Sequence, residues 1–287
     1  MTTQSYFTQR RLAALVSSIL GAGAAVLSSN AQITLTDGAA SVNIDPASQA
    51  GVHNWEVGGQ NHLAQHWLWY RVGNTAESSI DTLALSGTTL TGTKQVQLDY
   101  SGAGFDLELT YSLLGGSFDS GVSDLAEQLT IVNTSGGDLD FHLFLYADFD
   151  LNNTPAGDTV TSVNYSPFPP LAKGYNSVTQ IEDSEVQQTT FGSFPNRAEA
   201  EVFELTLNKL NDGAATDLLN SGAGFAPGST NDMTYAFQWD LTIAQGSSKV
   251  IGADMRLDVT PVPEPTTAAL GLLGVTALLH TLRRRRV

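Results

Sequence analysis

The sequence predicts an all-β fold, an antiparallel β-sandwich, over residues 32–260 of the 287-residue chain. Three observations support this prediction. Many short segments alternate apolar and polar residues with the period of a strand, 27 glycines are spread along the chain as turn formers, and no proline-rich or charge-rich linker divides the body. A body of roughly 230 residues without a linker favours a single domain.

The clearest strand signals lie in the first half of the body. Residues 94–100 and 105–111 each alternate apolar and polar side chains, and Gly102 and Gly104 lie in the turn region between them. This pattern predicts a β-hairpin. A further strand is predicted at residues 139–146, where every odd-numbered position is leucine or phenylalanine.

The second half predicts another hairpin and one helix. Residues 235–244 and 249–258 alternate on either side of a polar Gln-Gly-Ser-Ser turn, which is typical of a hairpin. Asn196 and Glu199 have the spacing of a helix-capping box, and residues 203–210 carry apolar side chains at helical spacing. Residues 203–207 also alternate as a strand would. The many strands favour an enlarged sandwich of the kind seen in sugar-handling proteins, an analogy of fold that says little about function.

The first 31 residues have the layout of a secretory signal peptide. Arg10 and Arg11 form a basic start, residues 12–27 are apolar, and residues 29–31 (Ser-Asn-Ala) offer small side chains to a signal peptidase. We therefore expect export, with signal peptidase cutting after Ala31.

Residues 261–287 combine three features in a fixed order. The motif Pro263, Glu264 and Pro265 is followed by the uncharged run Thr266–Leu282 and then by Arg283, Arg284, Arg285 and Arg286. As a helix, residues 266–282 would be about 25 Å long, a little less than the ~30 Å hydrocarbon core, and arginines can extend past its end. Because basic residues stay in the cytoplasm, the transmembrane helix would place Glu264 at the outer face, held extended by its two prolines.

This C-terminal arrangement resembles the PEP-CTERM sorting signal of Gram-negative bacterial exoproteins. The resemblance covers about a tenth of the chain, VPEPTTAALGLLGVTALLHTLRRRR. It implies recognition by an exosortase, a membrane transpeptidase-like enzyme, and export alongside extracellular polysaccharide. The alternative is a tail anchor that is never cut.

The charge of the body restricts its partners. Of the 13 lysines and arginines and 29 acids in the chain, the segment between the two ends keeps 7 bases and 28 acids, a net charge near −21. Such a surface repels phosphate backbones, so we expect no nucleic-acid partner. The chain has no cysteine, which excludes disulfides and thiolate metal sites.

An oxygen-rich segment follows the predicted strand 139–146. Asp148, Asp150 and Asn152 alternate, and Asp158 comes shortly after them. Calcium prefers six to eight oxygen ligands from a curled loop, so this spacing indicates a possible calcium site as the only cofactor. The segment is not an EF-hand, because Asn153 stands in place of the usual glycine and Thr159 in place of the closing glutamate. A turn capped by its own side chains is the alternative.

Two further groups have alternative interpretations. Trp55, Trp67, Trp69 and Tyr70 could form an exposed platform that stacks on sugars, but rings that alternate on one face usually belong to a core. His62 and His66 are four residues apart and would share a face on a helix, as zinc ligands do, although a strand or loop is equally compatible with this segment.

These observations favour an exported, exosortase-sorted surface or extracellular-matrix protein, associated with biofilm exopolysaccharide and without enzymatic activity. A secreted carbohydrate-active enzyme or a lectin-like polysaccharide binder is the alternative. Glycosidase chemistry needs two facing carboxylates, and among 28 acids the sequence cannot select a pair.

Overall fold

The computed structural model describes residues 25–26, 32–117, 120–163, 177–182, 186–219 and 232–260. Within these residues the chain forms two large, mostly antiparallel sheets, which confirms the predicted all-β, sandwich-like fold. The predicted signal peptide, apart from residues 25–26, and the whole predicted sorting segment lie outside the described residues.

Eighteen strands and one α-helix make up the described fold. The strands are β1 (Ala25–Val26), β2 (Ile33–Asp37), β3 (Ala40–Asp45), β4 (Gly51–Val57), β5 (Gln60–Asn61), β6 (Gln65–Val72), β7 (Ser78–Ser79), β8 (Ala84–Thr91), β9 (Gln95–Gly102), β10 (Phe105–Gly115), β11 (Val122–Asn133), β12 (Leu139–Asp148), β13 (Thr159–Val163), β14 (Ser177–Glu182), β15 (Val186–Gly192), β16 (Arg197–Val202), β17 (Met233–Ile243) and β18 (Ser248–Val259). The helix α1 spans Leu205–Asn211, and short 3-10 turns occur at Ile80–Thr82 and Leu151–Asn153.

The strands divide between two sheets. Sheet I has the order β1-β8-β9-β10-β11-β18-β15-β14-β13. Sheet II has the order β16-β17-β12-β6-β4-β3-β2, with β5 beside β4 and β7 beside β6. All of these pairs are antiparallel except β4 with β6. At that parallel pair Gly51 has a φ of +51°, and a Cβ there would lie 2.6 Å from the carbonyl oxygen of His66. Only glycine permits this close approach.

The main core lies between the two sheets and follows from the alternation of the strands. Val96, Leu98 and Tyr100 of β9 are all buried, as the pattern predicts, and β9 pairs with β10 in the predicted hairpin. Strand β12, an inner strand of sheet II, is buried on both faces over residues 143–148. Sheet II is therefore covered on its outer face as well.

The second predicted hairpin is wrong. Strands β17 and β18 have the predicted positions, but β17 pairs with β12 and β16 in sheet II, whereas β18 pairs with β11 and β15 in sheet I. The connection between them crosses from one sheet to the other. Asn133 holds this corner, since its side-chain amide donates to the Ile243 carbonyl oxygen at 2.8 Å and its backbone N–H to the Ser247 carbonyl oxygen at 2.9 Å.

The predicted helix is shorter than the sequence pattern suggested. Residues 197–202 form β16, so Asn196 and Glu199 do not make a capping box; instead the Asn196 side chain accepts a hydrogen bond from the Asp240 backbone at 2.8 Å. The helix begins only at Leu205, after Glu204 in the left-handed conformation with a φ of +69°. Pairing with β17 outweighs the local helical signal because β17 offers a complete ladder of backbone partners.

Candidate functional site

Strand β6 shows which side chains of sheet II face inward. His66 and Tyr70 point toward sheet I, because His66 Nε2 lies 2.7 Å from Glu127 and the Tyr70 ring lies 5.2 Å from that of Phe105. Side chains alternate along a strand, so the odd-numbered residues of β6 lie on the outer face. With their cross-strand partners, the outer face carries Trp67, Trp69, Arg71, His142, Phe144, Tyr146, Gln238 and Asp240.

Residues 205–219, here called the strap, cover this outer face. The strap consists of α1 and the segment that follows it. Trp69 Nε1 donates to Asn211 Oδ1 at 3.2 Å, and the Leu218 backbone N–H donates to Gln238 Oε1 at 2.8 Å. The outer face of sheet II is therefore closed by the chain itself.

A buried ion-pair network anchors the strap. Arg71 is only 5% exposed, and its guanidinium lies 2.9 Å from Glu77 and 2.7 Å from Asp217 of the strap. His142 Nδ1 lies 2.6 Å from Asp240, and both lie close enough to Asp217 for the three side chains to share an ion. The guanidinium already supplies positive charge beside these carboxylates. This network is therefore a structural anchor.

The tryptophans do not form the exposed platform considered from the sequence. Trp55, Trp67 and Trp69 are each 0% exposed. Trp55 lies between the sheets, where its Nε1 donates to Ser123 at 3.1 Å, whereas Trp67 and Trp69 lie on the strap side of sheet II. Tyr70 is half-buried and stacked on Phe141. Rings packed in this way have no free face for a sugar.

The residues of the predicted calcium loop gather at the other end of the β12–β17 ladder. Asp148 ends β12 and pairs with Thr234, so Asp150 and Asp232 lie just beyond the same end of the ladder. Carboxylate oxygens of Asp148, Asp150 and Asp232 lie within 4.8 Å of one another. Asp232 was missed in the sequence because it is more than eighty residues away; only the register of the two strands brings it here.

Two more acids surround this group. Asp158 is fully buried, and its Oδ2 accepts a hydrogen bond from Gln180 at 2.6 Å. Glu182 is buried and its Oε1 accepts from Thr154. We call the five acids Asp148, Asp150, Asp158, Glu182 and Asp232 the acidic cluster.

The acidic cluster contains buried oxygens without a hydrogen-bond partner. They are Oδ1 of Asp148, Oδ1 of Asp158, Oδ1 of Asp232 and Oε2 of Glu182. An unpartnered buried acceptor costs roughly 1–3 kcal/mol, and more when it is charged. The apo arrangement is therefore unfavourable unless the acids hold protons or a cation.

Burial strongly perturbs the acids of the cluster. It raises the pKa of Asp148 to about 8, with repulsion from Asp232, Asp150 and Asp158 as a further cause. Burial also raises the pKa of Asp158 to about 7, where Glu182 adds repulsion, and the pKa of Asp232 to about 6, where Asp150 adds repulsion. Each shift reflects the cost of placing a negative charge away from water and beside another.

The backbone of Asn152 makes a contact that holds this loop. It adopts a left-handed conformation with a φ of +56°, and its backbone N–H donates to His62 Nδ1 at 3.1 Å. His62 is buried, and burial lowers its pKa, so the ring stays neutral and can accept this bond. His62 therefore holds the loop, while His66 pairs with Glu127. Among the described residues neither histidine belongs to a group of three metal-ligating side chains.

No protein-family model and no curated protein matches this sequence. Several solved structures share the fold. A bacterial glucoamylase complexed with acarbose aligns with a TM-score of 0.53 and 10% identity over 87% of this chain, which spans only 36% of the glucoamylase. The Slr1438 protein from Synechocystis sp. PCC 6803 aligns with a TM-score of 0.52 and 11% identity, covering 80% of this chain and 96% of that one. A GalM/aldose epimerase homologue from C. elegans has a TM-score of 0.51 and 8% identity, covering 82% and 100%.

These likenesses establish a shared sandwich architecture and carry no residue roles to this chain. Within the described part of the chain, no helix has the length and apolar character needed to cross a bilayer. The predicted membrane helix at residues 266–282 lies outside that part.

Replacing Trp69 with alanine should lower the free energy of unfolding by roughly 3–5 kcal/mol, because the ring is buried and packs edge-on against Tyr146 at 5.9 Å. Trp69→Phe loses the hydrogen bond to Asn211. Because it keeps an aromatic ring in the buried position, it should lower the free energy of unfolding much less than Trp69→Ala. Denaturant unfolding of both variants measures this. An alanine variant as stable as the parent would contradict burial under the strap.

Without divalent cations, the protein should lose stability as the pH rises from about 5 to about 8. Asp148, Asp158 and Asp232 have folded-state pKa values of about 8, 7 and 6 against an ordinary 3.8, so the folded state holds more protons than the unfolded chain in this interval. Their favourable contribution to the free energy of unfolding is complete at low pH and is lost as the pH rises through these folded-state pKa values. Thermal melts in a chelating buffer test this, and Asp148→Asn should flatten the profile. A melting temperature that climbs over the same interval would be incompatible with buried, proton-holding acids.

Proposed function

We propose that the chain is an exported protein of the cell surface or extracellular matrix, sorted by an exosortase and associated with exopolysaccharide, without enzymatic activity of its own. Signal peptidase would remove residues 1–31, and the exosortase would act at Pro263, Glu264 and Pro265. The β-sandwich of residues 32–260 would be the part delivered outside the cell.

The order of features in residues 261–287 carries this proposal. A proline-flanked acid, an uncharged run of helix length and a terminal arginine cluster each occur in many proteins, but in this order they set a defined depth in a membrane. The signal peptide at the other end supports the same route. Both ends are needed for the proposal, because sorting at the outer face requires that the body has already crossed the membrane.

The body suits an extracellular environment. Its net charge near −21 favours solubility, and its stability depends on a packed core, since the chain has no cysteine. Strand pairing continues through both large sheets and the strap closes the second apolar face. These properties support a durable surface module.

Carbohydrate binding is a second candidate function. The observation that favours it is the fold similarity to a glucoamylase complexed with acarbose and to a GalM/aldose epimerase homologue, both above a TM-score of 0.5. The outer face of sheet II carries arginine, histidine and carboxylate side chains that could bind hydroxyl groups, but the strap covers them. Co-sedimentation of the secreted protein with extracellular polysaccharide tests this candidate. A Lys209→Ala variant, which loses the contact to Glu201 at 2.7 Å and so loosens the strap, should bind more strongly if the face is the site.

The native extracellular protein should have a C-terminus near Pro263–Pro265 instead of at Val287, because the exosortase would cut there. Mass spectrometry of the secreted protein measures this directly. An intact C-terminus ending at Val287 would refute processing and leave only a tail anchor.

Replacing Pro263, Glu264 and Pro265 with alanines should leave a membrane-retained chain of unprocessed mass, because alanines extend the helix outward and remove the extended cut site. Fractionation followed by mass analysis of the retained chain checks this. Deleting Arg283–Arg286 is the matched comparison. It leaves the motif itself unchanged, but the helix should no longer be held firmly in one orientation across the membrane. Normal release of the alanine variant would show that the motif is not read.

A further inference from the structure

We propose that the acidic cluster at the end of the β12–β17 ladder binds one calcium ion, with Asp148, Asp150 and Asp232 as carboxylate ligands and Asp158 and Glu182 as the surrounding charge. The site differs from a sequence-local calcium loop, because Asp232 joins from a distant segment. It does not depend on the sorting proposal.

The spacing of the three carboxylates fits a single ion. Their oxygens lie within 4.8 Å of one another. Calcium binds oxygens at 2.3–2.6 Å, so two ligands of one ion are at most about 5 Å apart. A cation between these oxygens would reach all three without a change in the register of β12 and β17.

Buried oxygens without partners give an independent indication of a ligand. Asp148 is 4% exposed and Asp158 is 0% exposed, and each has one carboxylate oxygen that no donor reaches. Native structures rarely leave such acceptors unsatisfied. A cation bound to Asp148 would partner its free oxygen and remove the repulsion among the neighbouring acids.

Within the part of the chain that the structure describes, no protein cation compensates the cluster, and the Arg71 network provides the comparison. At the other end of the same ladder, Arg71 compensates Glu77 and Asp217 at 2.9 and 2.7 Å. Among the described residues, no lysine or arginine forms an ion pair with any of the five acids of the cluster. One end of the ladder carries its own counter-charge, and at the other end no described basic residue supplies one.

The donor set selects the type of ion. Every side chain of the cluster offers a hard carboxylate oxygen, with neither imidazole nor thiolate, which favours calcium or magnesium over zinc or copper. Magnesium demands near-ideal octahedral geometry and keeps its water, whereas calcium accepts irregular sets of carboxylates. Several anionic oxygens packed in a mostly buried site therefore favour calcium.

The ion would connect separate parts of the fold. Asp148 closes β12, Asp150 opens the loop toward β13, and Asp232 directly precedes β17. Bound calcium would thus hold together the ends of two paired strands and the connection into sheet I. We expect it to stabilise the folded chain by mass action.

Calcium titration of the full-length chain, purified in detergent and treated with a chelator, tests the site. Isothermal calorimetry should report one calcium per chain, and millimolar calcium should raise the melting temperature by several degrees. Magnesium at the same concentration should give a clearly smaller shift. The readout is binding and stability, so it remains valid whether or not the chain is processed by an exosortase.

Asp148→Asn separates binding from folding. It should melt at or above the temperature of the chelated parent, because a neutral amide at this buried position needs neither a proton nor a cation, and it should lose most of the calcium-dependent shift. Glu108→Gln makes the same carboxyl-to-amide change at an exposed position on sheet I and should keep the full shift. No shift in the parent, a full shift in Asp148→Asn, or equal shifts with magnesium and calcium would each overturn the assignment.

Discussion

The pairing of β12 with β6 on one side and β17 on the other is the constraint on which most of the molecule depends. Strand β12 is an inner strand of sheet II and is buried on both faces over its second half. One face packs toward sheet I, and the other packs against Trp69 beneath the strap. Because a strand alternates its side chains, any slip of this register by one residue would exchange the two faces and place core residues under the strap.

The same register creates two groups of charged side chains at opposite ends of one ladder. At one end His142 is opposite Asp240, beside Arg71 and Asp217. At the other end Asp148 is opposite Thr234, which brings Asp232 to Asp150. The first group has positive counter-charge within the fold, from Arg71 and Arg197. The second is not neutralised by any described basic residue. Burial, with repulsion among the acids, raises the pKa of Asp148 and of Asp232.

Local patterning predicted the strands much better than their partners. The alternation over residues 94–111 predicted both strands of the β9–β10 hairpin correctly. A short turn holds two successive strands side by side, so they pair with each other. The same reasoning failed for β17 and β18, since each has stronger neighbours in a different sheet and the turn between them bends around a corner held by Asn133. At residues 196–202 the sequence pattern predicted the start of a helix, but residues 197–202 form a strand. This strand pairs with the edge of β17 and gains a full set of backbone hydrogen bonds there.

Residue order alone was sufficient to establish the β-rich fold class, the acidic and cysteine-free body, and Asp148 and Asp150 as neighbouring oxygen donors, since each of these depends on composition or on contacts within a few residues. Long-range packing decided the rest. Trp69 is buried because the strap, which is more than 130 residues away in the sequence, covers it. Asp232 and Glu182 join the acidic cluster only through the pairing of distant strands, and no local pattern carries that information, because sheet register is a property of two segments together.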